Sequence, residues 1–489
     1  MKKSRVVLTA SILVIMFVVT SCSIFGGKGP EISTADQVKM YCEKDTTSST
    51  SGKTSAYFDF SDGMNWAYQN DTTKTLLQSI VNKITGDNDM SVYSLANNNI
   101  IPLKKKQTEL YNTIIDATSY QNQNAPIEKT LSKIVKDGNS AIMVTDFEEY
   151  TTNGTVQHQN FAKPYFEKWL SQGNDITFFI TDYVENGLAK HLYYIIFDKK
   201  SHTLLSKVEE ALANRPVNYK RFLLSTNPCH FTTKYMAAIK GGCYHDENGE
   251  DAVSATIEDG SGEGFTKFDN LNAEYYPFGD SWQNIVSNAQ AMKEPGVAKP
   301  FSDLFRNLFV DLSNQDSYII KKMDVKVYDV QADFDKFIAF KEALKNKPQM
   351  IKDENGSPIA DLSGDAGTYY DEKGNMLPDY IYKPQTLAPI EDMLVLNQTL
   401  FSNTFNSNPK QVELAIDFNP KFSGEIANYP AGDMIRIDIV VADCTPNYSN
   451  LDKLFSWGGN TNLSEAIRNT LQDLNLVGRP VYSYFVKTN

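Results

Sequence analysis

The chain has 489 residues, 41% of them hydrophobic, with 47 Lys and Arg against 60 Asp and Glu and a formal net charge of −13. That balance excludes a basic groove for phosphate backbones, so nucleic acid is not an expected partner. The apolar content suffices for real cores, and the length predicts two or three domains.

Lys2, Lys3 and Arg5 give a positive start, followed by the apolar run VVLTASILVIMFVVT over residues 6–20. At roughly 15 residues the run is short of the roughly 20 needed to span a hydrocarbon core, and it fits the apolar part of a secretory signal. It ends in Val19-Thr20-Ser21-Cys22, an aliphatic residue, two small residues and a cysteine. This resembles the lipobox of bacterial lipoproteins. The resemblance implies that residues 1–21 are removed and that Cys22 carries lipid, palmitate-type acyl chains being the stable form of such an anchor. Ser23 follows, not Asp, which by the sorting rule of that family implies the outer membrane. Loss of Lys2, Lys3 and Arg5 with the signal takes the charge from −13 to −16.

Residues 22–53 are rich in Ser, Thr and Gly without sustained periodicity and are expected to form a flexible tether. From residue 54 to 225, strands alternate with helical patterns. SAYFDF, MSVYSLA, SAIMVTDF, DITFFITDY and KHLYYIIFD are predicted strands. TTKTLLQSIVNKIT, QTELYNTIID, APIEKTLSKIVKDG, NFAKPYFEKWLSQG and LLSKVEEALAN are predicted helices. In APIEKTLSKIVKDG the reading is closest: Pro126 near the first turn, Ile127, Leu131, Ile134 and Val135 on one face, and Gly138 at the end. The alternation predicts a layered α/β domain with a mostly parallel sheet.

From residue 226 the pattern changes to strands such as YMAAIKG, AVSATIEDG, IIKKMDVKVYDV, QVELAIDFN, MIRIDIVVADC and PVYSYFVK, joined by long polar stretches. This half is expected to be β-rich, with a sandwich as the candidate arrangement. A long insertion dense in Gly, Pro, Asp and Asn falls near residues 345–390, and NLSEAIRNTLQDLN predicts an amphipathic helix before the last strand.

Two carboxylates fall at strand ends, where an α/β sheet gathers its ligands: Asp59 after SAYF and Asp146 after MVT. Asp59, Ser61 and Asp62 also suit a turn and cap into the following helix. The strand running into D-x-S and the later strand closing in Thr145-Asp146 resemble the von Willebrand factor A domain. That resemblance implies a Rossmann-like fold and a Mg²⁺-dependent adhesion site, with Asp59, Ser61 and Asp146 as oxygen ligands and Asp62 adjacent. Gly63 stands at the second serine position of that pattern, and Ala125, in Ala125-Pro126-Ile127, at its threonine.

Cys229 and Cys243 are candidates for a disulfide; with His230 and His245 they also form a candidate zinc set. The five histidines show no metallohydrolase spacing, and no glycine-rich phosphate loop follows any strand. The expected fold is therefore α/β, a Rossmann-like von Willebrand A-type domain followed by a β-rich domain. The expected function is that of a non-enzymatic, lipid-anchored binding or assembly module with a protein partner. An envelope hydrolase using Asp59, Asp62 and Asp146, and a purely structural lipoprotein, are the alternatives.

Overall fold

The apolar runs at 56–60 and 141–144 supply two adjacent interior strands of a mixed sheet in a computed structural model of the chain. The residues described are 33–43, 54–86, 90–151, 153–154, 156–157, 160–199, 202–213, 218–233, 266–268, 271–277, 305–345, 382–390, 393–419 and 433–487. Cys22, Cys243, His245, the strands expected in YMAAIKG and AVSATIEDG, and most of the 345–390 insertion lie outside them.

The first described element corrects part of the tether expectation. Thr34–Cys42 forms helix α1, capped by Ser33, whose hydroxyl accepts from the Asp36 N–H at 3.1 Å. Val38 and Tyr41, one turn apart, are fully buried. Two anchors in a polar stretch leave too weak a periodic signal to read from sequence, and the helix exists because of what it docks on.

The first half contains strand β1 (Thr54–Asp59), helices α2 (Gly63–Gln69) and α3 (Asp71–Ile84), strands β2 (Met90–Ala96) and β3 (Asn99–Pro102), and helices α4 (Gln107–Ile115) and α5 (Ile127–Asp137). Strand β4 (Ala141–Thr145), helix α6 (Lys163–Ser171), strands β5 (Asp175–Glu185) and β6 (Leu188–Asp198), helix α7 (Thr203–Leu212) and strand β7 (Lys220–Leu224) complete it. The seven strands lie in the order β3-β2-β1-β4-β6-β5-β7. Both neighbours of β1 run parallel to it, whereas β2–β3, β4–β6, β6–β5 and β5–β7 are antiparallel.

The mostly parallel sheet expected from the alternation is thus confined to β2, β1 and β4. The reason is turn chemistry. Asn186 and Gly187, at φ 49° and 85°, close β5 onto β6, and Asn97 and Asn98, at φ 52° and 61°, close β2 onto β3. Turns with positive φ match the twist of paired strands and make hairpins, which are antiparallel by construction. The result is a mixed α/β arrangement compatible with a Rossmann-like domain.

Alternation along the strands sends side chains to two cores. Phe58, Val144, Tyr194 and Ile196 pack with Leu77, Ile80 and Val81 of α3 and Leu204 and Val208 of α7. Tyr57, Met143, Tyr193 and Ile195 face the other way, toward Leu131 of α5 and Phe166 and Trp169 of α6.

The second half begins with strands β8 (His230–Thr233), β9 (Thr266–Phe268), β10 (Ala273–Pro277), β11 (Phe305–Asp311) and β12 (Tyr318–Asp329), then helix α8 (Gln331–Lys345). Strand β13 (Leu394–Leu396), helix α9 (Gln398–Ser407), strands β14 (Val412–Phe418) and β15 (Met434–Pro446), helices α10 (Leu451–Phe455) and α11 (Asn462–Asp473) and strand β16 (Pro480–Lys487) follow. A five-stranded sheet has the order β12-β15-β16-β10-β9 and a four-stranded one β13-β14-β11-β8. Rings cross between them: Phe305 of β11 stacks on Tyr484 of β16 at 4.5 Å, and Phe231 of β8 meets Tyr482 at 5.0 Å. Tyr41 of α1 enters a third core against Phe334 and Phe337 of α8 and Phe485 of β16. There its hydroxyl donates to the buried Asp333.

The division at 225/226 is crossed by packing. Phe455 of α10 lies 5.1 Å from Phe178 and 5.0 Å from Phe222, and the Tyr193 hydroxyl donates to the Leu454 carbonyl at 3.0 Å. Lys163 of α6 pairs with Asp473 of α11. The predicted amphipathic helix, α11, therefore helps cover the first sheet, with Leu463, Ala466, Ile467 and Leu471 buried in the same core as Tyr57 and Met143.

Candidate functional site

β1 pairs with β2 on one side and β4 on the other, so the sheet order reverses beside it. Loops leaving β1 and β4 there diverge to opposite faces and leave a crevice at the strands' carboxyl ends, the usual place for a ligand. One carboxylate holds both loops. Asp59 is fully buried; its Oδ1 accepts from the Ser61 N–H at 2.8 Å and its Oδ2 from the Thr145 hydroxyl at 2.8 Å. Thr145 Oγ1 in turn accepts from the Phe147 N–H at 3.0 Å. Burial pushes the Asp59 carboxyl up to about 6 against the pull of the Ser61 and Thr145 hydrogen bonds, with the Glu148 charge adding to the rise.

Asp146 is the second carboxylate, 2% exposed. Its Oδ1 accepts from the Glu148 N–H at 3.0 Å, and its Oδ2 receives the Tyr183 hydroxyl at 3.4 Å. Burial first, then the charges of Asp59 and Glu148, hold its carboxyl well above the ordinary range, while Lys190 pulls it back. Phe147 sits between them at φ +64°, uncommon for a bulky residue. Its ring is buried and stacks on Phe161 at 5.4 Å, which fixes this backbone conformation.

A cleft of about 250 Å³ opens above these residues. Ser61, Asp62 and Gly63 line it from the β1 loop, Asn124 and Ala125 from the loop entering α5, Asp146, Glu148 and Tyr150 from the β4 loop, and Glu185 from the β5–β6 hairpin. Of the residues singled out from sequence, Ser61, Asp62 and Asp146 therefore share the cleft wall, and Asp59 lies behind it, bonded to both loops. Asp62 precedes α2 without capping it through its side chain. Cys229 is a buried thiol at the exit of the first half, pushed up to about 12 by burial and then by the Cys444 thiol.

Six residues at this site are missed by sequence reasoning: Glu148, Tyr150, Tyr183, Glu185, Lys190 and Trp457. Glu148 Oε1 accepts from Lys190 Nζ at 2.8 Å and from the Trp457 indole N–H at 2.9 Å, and its Oε2 accepts from the Tyr150 hydroxyl at 3.2 Å. Lys190 also pairs with Glu185 and is 7% exposed. Lys190, Tyr183 and Glu185 arrive on the hairpin, whose Asn-Gly turn was the available signal. Trp457 comes from the second half, and no local pattern announces it.

The resemblance to von Willebrand A domains implies Mg²⁺, which demands near-octahedral oxygen ligation. Among the described residues no group of three His, Cys, Asp or Glu is placed to hold a metal. Gly63 and Ala125 bring no side-chain oxygen, and both Asp59 oxygens accept hydrogen bonds from protein donors. An ammonium already sits among the carboxylates. This donor set does not fit Mg²⁺. Neither a protein-family model nor a curated protein sequence matches the chain.

Proposed function

We propose that this protein is a lipid-anchored component of the bacterial cell envelope, held at the outer membrane through Cys22, that acts as a protein-binding or assembly module. In this reading the first half is a divergent von Willebrand A-like domain, and the β-rich half beside it is a sandwich that braces it. A protein partner docks at the cleft where the β1 and β4 loops diverge. The position of that cleft, at the switch in strand order and walled by Ser61, Asp62, Asp146 and Glu148, is the observation that carries the proposal. Two exposed aromatics add support: Tyr150 on the cleft wall and Trp66 on α2, the helix that starts there, are 38% and 42% exposed. Half-exposed aromatics at a crevice are the residue type from which protein interfaces draw their binding energy.

The experiment is site-specific photo-crosslinking in the source cells, with a crosslinking residue placed at Trp66 and at Ala213, the residue that closes α7 and does not line the cleft. A discrete adduct from position 66, absent from position 213 and lost when Asp62→Arg blocks the cleft, is expected. Identical adduct patterns with the cleft open and blocked would reject the cleft as the binding face. Incorporation of a labelled palmitate analogue, abolished by Cys22→Ala, tests the anchor separately.

A further inference from the structure

We propose that the Lys190 ammonium is the resident cation of this cleft, taking the charge-balancing place that a von Willebrand A-like site gives to Mg²⁺, so that the binding face is assembled without a divalent ion. The inference deepens the binding-module reading and rests on it for its meaning, but its chemistry can be tested without a partner.

The topology delivers this lysine. β6 runs antiparallel to β4 with Thr145 opposite Tyr193, so Lys190 lies three residues beyond the end of β4, beside the loop that carries Asp146 and Glu148. Strand parity puts Lys190 on the same face as Leu192, Tyr194 and Ile196, the face covered by α3 and α7. Directly across the hairpin is Tyr183, whose hydroxyl reaches Asp146. A lysine this buried requires pairing, and it has two carboxylate partners, Glu148 at 2.8 Å and Glu185.

Charge decides the rest. Three carboxylates, Asp146, Glu148 and Glu185, act on one ammonium, and a fourth, Asp59, adds its charge to Asp146. Burial disfavours the ionised forms of the two aspartates, and the ammonium answers the glutamates. A divalent ion on Asp146 and Ser61 would meet the like charge of Lys190 in a poorly solvated crevice, where repulsion is weakly screened. It would also lack the oxygens that Gly63 and Ala125 do not supply. Removing the ammonium reverses this balance: the carboxylates lose their counter-charge, and a hard cation becomes the available substitute.

The test uses the intact protein, with Mn²⁺ followed by electron paramagnetic resonance and thermal melting read with and without Mg²⁺. Wild type is expected to leave the Mn²⁺ signal undiminished and to melt at the same temperature with or without Mg²⁺. Lys190→Met is expected to gain Mn²⁺ binding and a melting temperature that Mg²⁺ raises by a few degrees. Both gains should vanish when Asp146→Asn is added. Lys190→Arg, which keeps the charge, should be silent to both ions. Saturable Mn²⁺ binding by wild type that Asp146→Asn abolishes overturns the proposal, as does a folded Lys190→Met protein indifferent to Mg²⁺. If Lys190→Met does not fold in either buffer, the wild-type and Lys190→Arg titrations decide: Mn²⁺ silence in both sustains the proposal, and binding in either refutes it. A failed crosslink in the partner experiment leaves all these readings unchanged.

Discussion

Trp457 donates its indole N–H to Glu148 Oε1 at 2.9 Å, across 309 positions of sequence. The contact joins a turn between α10 and α11, in the second half, to the carboxylate-bearing loop after β4, in the first. The Trp457 ring is also 6.0 Å from Tyr193 of β6. The cleft is therefore not the property of the first half alone. Its Glu148 is oriented by a donor from each half, Lys190 and Trp457.

Replacing Trp457 by Phe keeps most of the ring and removes the donor. Glu148 retains Lys190 and Tyr150, so the cost is expected to be that of one hydrogen bond to a charged acceptor, about 1.5–3 kcal/mol. Urea denaturation of the intact chain measures it. An unchanged midpoint would mean that the indole N–H contributes nothing to joining the halves.

Asp59 predicts a pH signature. Its carboxyl is raised from 3.8 to about 6, so the folded chain holds this proton more tightly than the unfolded one. The stabilisation it gives is fully present below about pH 4 and is lost as pH rises through about 6. Asp59→Asn cannot ionise. Relative to wild type, the variant should therefore gain stability between about pH 4 and pH 7, on the order of 2 kcal/mol for a fully buried group displaced this far. Urea midpoints of the two proteins across that range give the difference, and parallel curves would refute the burial argument.

Gly138 closes α5 at φ +63°, and a methyl group there would meet nothing within 4 Å. Gly138→Ala therefore reports backbone strain alone. Left-handed geometry costs an L-residue about 1–2 kcal/mol, and the melting temperature should fall accordingly. A neutral or stabilising result would show that the helix ends differently in solution.

Tyr41→Phe and Tyr41→Ala separate two contributions to α1 docking. The phenylalanine keeps the edge contacts with Phe334, Phe337 and Phe485 and loses the bond to Asp333, which still accepts from the Tyr382 hydroxyl and the Gln385 N–H. About 1 kcal/mol is expected. The alanine removes the buried ring, a loss of about 3–5 kcal/mol, and hydrogen exchange over residues 34–42 should rise sharply. Equal exchange in both variants would assign the docking to the hydroxyl.

Local pattern made much of this fold legible. α5 begins and ends where its stripe of Ile127, Leu131, Ile134 and Val135 and its terminal glycine place it, because amphipathic period and capping agree. Strand ends point to Asp59 and Asp146, and both reach the site. The mostly parallel sheet that the alternation predicts fails at Asn186-Gly187, a hairpin signal that the sequence itself carries. Other features had no local mark. Lys190 reads as an ordinary strand-edge residue until the hairpin folds it beside Glu148, and Trp457 belongs to a segment assigned to the other half. Such residues are set by long-range packing, to which period and propensity are blind.

The docking of α1 also has a consequence for reach. On the lipid-anchored reading, an undocked chain from position 22 to 53 would extend about 110 Å, long enough to cross much of an envelope compartment. With Ser33 capping a helix seated on α8 and β16, the span from position 22 to 33 is at most about 40 Å. The leash would then be short, and the body would be tethered by its β-rich half. How far the cleft stands from the bilayer would be set by the dimensions of a folded object, as with a bracket on a wall, and not by the slack of a cord.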